Sequence, residues 1–314
     1  MNVVNWFCCY IGQVIIINIK NYRMRAILCL TVLFFSNVAA AQISVTDDIG
    51  QRVTLERPAK RIVSLAPHIT ENLFAAGAGD LIIGTVSYSD YPDAALSIPR
   101  VGSYNNINIE LIASTRPDLV IAWREGNQKN QVEKLVELGI KVYVNYPQNL
   151  EDIGADIRKF GYLSGRSVQA EQESQRYNSS LEDLRKLYKN ATPLSVFYQT
   201  WDKPLLTVNG KQLIGQIISL CGGQNIFRDL ESLSPNVSVE SVLNLDPMVI
   251  IASGMGESRP QWLDQWRQWP ELKANRLGKL IHVPPSIIQR STPRLLEGAS
   301  MVCASLQEIR DNMQ

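Results

Sequence analysis

One stretch of this chain has a counterpart of the same pattern further along it. NIELIASTRPDLVIAW at 108–123 aligns without a gap on SVESVLNLDPMVIIAS at 238–253, setting Glu110 on Glu240, Ile112 on Val242, Pro117 on Pro247 and Ile121 on Ile251. Each copy reads as a short helix, a proline stop and a buried strand. Between the copies lies RSVQAEQESQRYNSSLEDLRKLYKN, residues 166–190, which has no Gly or Pro over about seven helical turns. Leu181, Leu184 and Tyr188 form its apolar stripe, and the rest is polar. A flexible linker is richer in Gly, Ser or Pro, so this segment predicts a rigid helix bridging two similar lobes.

The remaining pattern supports that plan. Strand-like runs at 61–65, 81–86, 118–122 and 141–144 alternate with helical periods at 70–76, 109–114 and 127–138. Alternation resumes beyond residue 190, with a strand at 194–198, a helix at 212–220 and a strand at 247–252. Such alternation predicts an α/β fold of βαβ units with mostly parallel sheets. Trp123 closes the first repeat, at the point where a core strand breaks into solvent. In an open α/β sheet that carboxyl end is where ligands bind, so Trp123 is expected at the lip of an interlobe cleft.

The first 41 residues read as a leader. Met24-Arg25 precedes an apolar run from Ala26 to Phe35, followed by the small residues of Ser36–Ala41. A basic start, apolar centre and small-residue end mark a secretory signal peptide; the apolar run is about half of what a membrane span needs. Met24 is the better start, and residues 1–23 are read as lying upstream of a misassigned initiation codon. The expected divisions are therefore 1–41 signal segment, 42–160 first lobe, 161–190 bridging helix and 191–314 second lobe. Removing the leader takes Lys20, Arg23 and Arg25 and no acid, turning a formal charge of +1 into −2. Neither value gives a footprint for nucleic acid. It also leaves only Cys221 and Cys303 of the five cysteines. Two cysteines in an exported chain most simply form one disulfide, the alternative being two separately buried thiols.

Several chemistries are missing. The chain has two histidines, His68 and His282, too few for a three-histidine metal site, and no metal is expected. It has no G-x-S-x-G elbow and no phosphate-binding P-loop. Gly77-Ala78-Gly79 precedes a strand and reads as a tight turn. His68 opens a helix and is expected to cap it or face solvent. Trp262, Trp266 and Trp269 share one helical face, which reads as packing.

SYSDYP (87–92), VGSYNNINIE (101–110), PDLVIAWREGN (117–127), LCGGQNIF (220–227) and STPR (291–294) resemble the periplasmic cobalamin-binding proteins of vitamin B12 ABC importers. The resemblance runs from about Ile62 to the C-terminus. It implies a class III binding-protein fold, two Rossmann-like lobes on one long helix, and a carrier with no enzymatic activity and no cofactor. Cobalamin would be bound as transported ligand, and the partner would be a permease dimer with its ATPase subunits at the inner membrane. In the family, aromatic side chains sandwich the corrin. The matching positions are Tyr88, Tyr104, where the family often has Trp, and Trp123. In the second lobe Thr200 stands for a family Phe, with Trp201 beside it as a substitute, and Ser234 for a family Trp. Arg290 fits a family basic contact, while Ser286 stands where an Asp is expected. Glu110 and Glu240 match glutamates that pair with arginines on the two permease copies. The alternative within the same fold is a ferric siderophore or haem carrier; a secreted enzyme is the reading from another class.

Overall fold

The computed structural model describes residues 42–313, so the signal segment read over 1–41 lies outside the described residues. A hairpin of β1 (Ile43–Thr46) and β2 (Arg52–Leu55) leads into β3 (Ile62–Ser64), α1 (Pro67–Ala75) and β4 (Ile82–Gly84). A small ribbon, β5 (Gly102–Ser103) and β6 (Asn106–Ile107), precedes α2 (Ile109–Ser114), β7 (Leu119–Trp123), α3 (Lys129–Glu137) and β8 (Val142–Asn145). Two helices follow, α4 (Leu150–Ser164) and α5 (Ser167–Tyr188). The second half runs through β9 (Leu194–Gln199), α6 (Leu213–Leu220), β10 (Gly223–Asn225), α7 (Val239–Leu245) and β11 (Val249–Ala252). It closes with α8 (Lys273–Arg276), β12 (Leu280–His282), α9 (Pro285–Ile288) and α10 (Leu295–Asp311).

Each half builds a four-stranded parallel sheet with the same topology, β4-β3-β7-β8 and β10-β9-β11-β12. The repeat seen in the sequence is a repeat of structure. Its two helices, α2 and α7, are capped by Asn108 and Ser238, whose side chains accept from the N–H groups of Leu111 (2.8 Å) and Ser241 (3.1 Å). Both leave through a residue of positive φ, Arg116 at 49° and Asp246 at 43°, before entering the central strands β7 and β11.

Strand alternation sorts the core into layers. Ile62, Leu119 and Ile121 face one side of the first sheet, Val63, Val120 and Ala122 the other. In the second sheet Val196, Tyr198, Val249 and Ile251 share the first side's core, while Phe197 and Ile250 pack with Trp266. One continuous apolar core thus runs from sheet to sheet through α4, α5, α6 and α10. The tryptophan cluster is packing, as expected, although its segment is a 3₁₀ turn from Gln261 to Gln268. Trp266 is buried there with its indole N–H on Gln199 Oε1 at 2.7 Å.

The bridging helix starts later than the sequence reading put it. Residues 161–164 end α4, and Gly165 at φ 74° turns the chain back, with Arg166 N–H on the Gly161 carbonyl at 2.7 Å. α5 then lies against α4 through a buried face of Ala170, Ser174, Tyr177 and Leu181, and the Tyr177 hydroxyl donates to Leu150 O at 2.8 Å.

Cys221, at the end of α6, is bonded to Cys303 in α10, with 82 residues of separation and both side chains buried. Closing a loop of that length in the unfolded chain is worth roughly 4 kcal/mol in the chain-entropy description. Denaturant unfolding of a Cys221→Ala/Cys303→Ala variant against wild type is expected to show a loss of that size. Unreduced mature protein, from which the leader with Cys8, Cys9 and Cys29 has been removed, should carry no alkylatable thiol; finding two would refute the pairing.

Candidate functional site

Both sheets change direction of winding between their first and third strands, and in such sheets the crevice for a ligand opens at the carboxyl ends of those strands. In the first lobe these are β3 and β7. They deliver His68, in the first turn of α1, and Trp123, the last residue of β7. In the second lobe β9 and β11 end at Gln199 and Ala252.

Trp123 is fixed from several sides. Its backbone N–H donates to Asn127 Oδ1 at 2.6 Å, and the same buried amide donates to the carbonyls of Leu65 (2.9 Å) and Tyr104 (2.6 Å). Asn127, read from sequence only as the start of a polar helix, therefore ties the end of β7, the exit from β3 and the Tyr104 loop together. The His68 ring meets the indole edge-on at 5.2 Å and 82°, and the Tyr104 ring lies 5.8 Å away, tilted by 53°. A Cβ on Gly126 would fall 1.9 Å from the indole Cε3, so this position has room for hydrogen only.

His68 neither caps its helix nor faces solvent. It is buried, with Nε2 3.2 Å from Asn145 Oδ1. The expectation failed because the partner comes from the end of β8, far away in sequence. Burial pushes the imidazole pKa down to about 4; the Asn145 hydrogen bond opposes the shift and the nearby Arg290 charge adds to it, so the ring is neutral at ordinary pH.

Across from this wall the second lobe offers Gln212, Leu213, Ile288, Gln289 and Arg290, enclosing a cavity of about 80 Å³. A larger cavity of about 570 Å³ shares Glu125, Pro147, Gln212 and Leu213 with it and continues past Tyr146, Gln148 and Lys211. Burial raises the Glu125 carboxyl above the usual carboxylate range, with Arg124 opposing. The lining is thus aromatic at one end and rich in uncharged amides along its length.

At the edge of the smaller cavity the lobes are clasped. Arg290 donates to Glu71 Oε1 at 2.8 Å, to Asp90 Oδ1 at 2.6 Å and to the Tyr88 carbonyl at 3.1 Å. Glu71 is almost fully buried and also holds Arg294, at 2.8 and 3.0 Å, whose guanidinium stacks 3.8 Å over the Tyr91 ring. Asn72 Nδ2 adds a bond to the Ser291 carbonyl at 2.9 Å.

Of the six residues that the resemblance put on a ligand, Trp123 and Arg290 stand on the cavity wall. Tyr104 leans on Trp123, and Tyr88, 70% exposed and at φ 66°, joins the clasp through its carbonyl. Trp201 lies just past β9 with its indole N–H on the Lys203 carbonyl at 3.0 Å, and Ser286 donates to Glu257 at 2.8 Å; neither lines the two cavities. Glu110 and Glu240 are exposed in the first turns of α2 and α7. Among the described residues no cluster of metal-ligating side chains occurs.

Residues 62–287 match the family described as periplasmic binding protein. The chain belongs to that family. It is 37% identical over 251 residues to the vitamin B12-binding protein of Vibrio cholerae, covering 80% of this chain and 90% of that one. The vitamin B12-binding protein of Yersinia pestis is 34% identical over 251 residues, covering 80% and 88%. The crystal structure of the periplasmic vitamin B12 binding protein BtuF of Vibrio cholerae superposes with a TM-score of 0.74 at 36% identity, covering 81% of this chain and 98% of that one. The periplasmic haem-binding protein RhuT of Roseiflexus sp. RS-1 shares the fold alone, with a TM-score of 0.71 at 20% identity over 80% of this chain and 99% of that one. This is the two-lobed α/β architecture of the class III binding proteins.

Gly126→Ala should press the new methyl into the indole and cost about 1–3 kcal/mol, as overpacking does. In a Trp123→Ala background the same change should cost almost nothing, because the clash is gone. Urea unfolding of the four proteins of this cycle measures the coupling; an equal cost in both backgrounds would show that the indole is not the neighbour that matters.

Proposed function

We propose that this chain is a periplasmic carrier that captures cobalamin between its lobes and passes it, chemically unchanged, to the permease of an ABC importer. The observation that carries the reading is the aromatic wall at the switch point of the first sheet, Trp123 with Tyr104 and His68, facing a lining of uncharged amides. A corrin is a wide apolar disc with an amide fringe; aromatic faces bury the disc at little entropic cost, and Gln212, Gln289 and Gln148 suit the fringe. The vitamin B12-binding relatives above 30% identity support the same ligand. An anionic siderophore fits less well, since the arginine on the smaller cavity's wall is already matched by Glu71 and Asp90. Export to the periplasm is supported by the signal-like leader and by a disulfide, which persists in oxidising compartments.

The direct test is retention. Purified protein mixed separately with cobalamin, haemin and a ferric chelate, then desalted, should keep the corrin spectrum alone. Trp123→Ala should weaken cobalamin binding by roughly 1–3 kcal/mol while lowering the thermal midpoint only slightly. Unchanged affinity with a collapsed midpoint would return Trp123 to the core.

Docking to the permease is assigned to Glu110 and Glu240. The repeat sets one on each lobe, in the first turn of a capped helix, and two copies of one membrane subunit offer a twofold surface for two equivalent contacts. Hydrogen bonds from its own backbone N–H and from Ser238 hold Glu240 below the usual carboxylate range, so it stays charged. Charge reversal of both to Arg should abolish uptake into vesicles containing the reconstituted importer while leaving cobalamin affinity unchanged. Surviving uptake would reduce the pair to ordinary first-turn acids favoured by the helix dipole.

A further inference from the structure

The side chain of His68 is held in a way that the cleft's shape alone does not require. Asn145 Nδ2 donates to Asp156 Oδ2 at 2.6 Å and to Asp48 Oδ2 at 2.9 Å. The Asp48 carboxylate, which also accepts from Tyr146 N–H and Lys159, and the Asp156 carboxyl, which burial pushes well above the usual carboxylate range, fix the amide's orientation and turn Oδ1 toward the imidazole. An amide oxygen only accepts, so Nε2 of His68, 3.2 Å away, is the nitrogen that carries the proton. Nδ1 is left with its lone pair, and it has no hydrogen-bond partner among the described residues. Nor is it among the fully buried polar atoms that lack a partner, and the His68 side chain lines the cavity beside Trp123. A carboxylate–amide–imidazole relay with one ring N–H donated outward is the arrangement that orients a histidine for metal coordination through its other nitrogen.

We propose that His68 Nδ1 is an axial-ligand site for the metal of a bound metallo-tetrapyrrole, taking the coordination position that the cargo presents to the first lobe. The inference rests on reading the cleft as a corrinoid site and adds a bond to it. With a cargo whose cobalt(III) carries an exchangeable water, the Co–OH₂ bond breaks, the Co–Nδ1 bond forms, and water leaves as a neutral molecule; no electron or proton is transferred. A cargo carrying a tightly held cyanide offers no such position and would be bound by stacking and amide contacts alone. The low pKa of the ring keeps the lone pair available without competition from protons well below neutrality. A single protein ligand suffices for such a site, because four of the metal's ligands travel with the macrocycle.

Two measurements test this on the whole protein. Aquocobalamin and cyanocobalamin are titrated into wild type and His68→Gln with the visible spectrum recorded. Wild type should shift the aquocobalamin bands and leave those of cyanocobalamin in place. His68→Gln should abolish the shift and weaken aquocobalamin binding on the order of tenfold more than it weakens cyanocobalamin binding, the loss common to both being that of the ring's place in the aromatic wall. The second measurement needs no variant: cob(II)inamide, which lacks an appended base, is bound to wild type and examined by electron paramagnetic resonance. One axial nitrogen should split the cobalt lines into triplets. Binding of the corrinoids with unshifted bands and unsplit lines overturns the coordination while leaving the carrier reading intact; failure of every corrinoid to bind overturns both.

Discussion

The structure depends on one continuous apolar core shared by two sheets. Each sheet alone has four short parallel strands, and parallel strands need cover on both faces. The outer faces find it locally, under α2 and α3 in the first lobe and under the Trp266 segment in the second. The inner faces are covered by α4, α5, α6 and α10, which pack as one layer between the sheets' cores. The disulfide joins two of those four helices. The lobes are therefore halves of one packed body as much as two bodies on a rod.

Upon that frame the chemistry sits where the strands end. A buried Asn127 sets the angle of Trp123, a hydrogen-sized gap at Gly126 lets the indole lie flat against the loop, and His68 closes its other edge. On the far side Glu71 lies between two arginines, so that removing its carboxylate would leave Arg294, largely buried, without a charged partner, while Arg290 keeps Asp90. Stacking and hydrogen bonding thus shape the first lobe's wall, while charge pairing holds the rim.

Much of this was legible in the residues and some was not. The repeat was plain because helix, proline and strand recur at the same spacing, and the structure extends it to matched caps and matched positive-φ residues at Arg116 and Asp246. Trp123 announced itself by standing where a strand ends. α4 has no counterpart in the sequence reading: Gly154 and Gly161 weaken its helical propensity, and close packing of both against α5 at Asn178 and Ala170 keeps it helical. The contact face of α5 was read short: Leu181, Leu184 and Tyr188 do pack on the core, but Ala170 and Ser174, also buried, are too small to register as an apolar stripe. The relay from His68 through Asn145 to Asp48 and Asp156, and the clasp from Arg290 to Glu71, join residues distant in sequence. Local pattern holds no record of such pairings; only the folded topology creates them.

A body with a shared core has little freedom to hinge, and this bears on how a receptor could sense its cargo. Binding would then spend little energy on bending the frame and would leave the filled and empty forms with nearly the same outline. Recognition of the filled form then cannot read overall shape. It must read the lip of the cleft, where the exposed Tyr88 ring and the Asp90–Arg290 pair lie within reach of both the cavity and the surface. The rim of this molecule is where information about the occupant would be displayed.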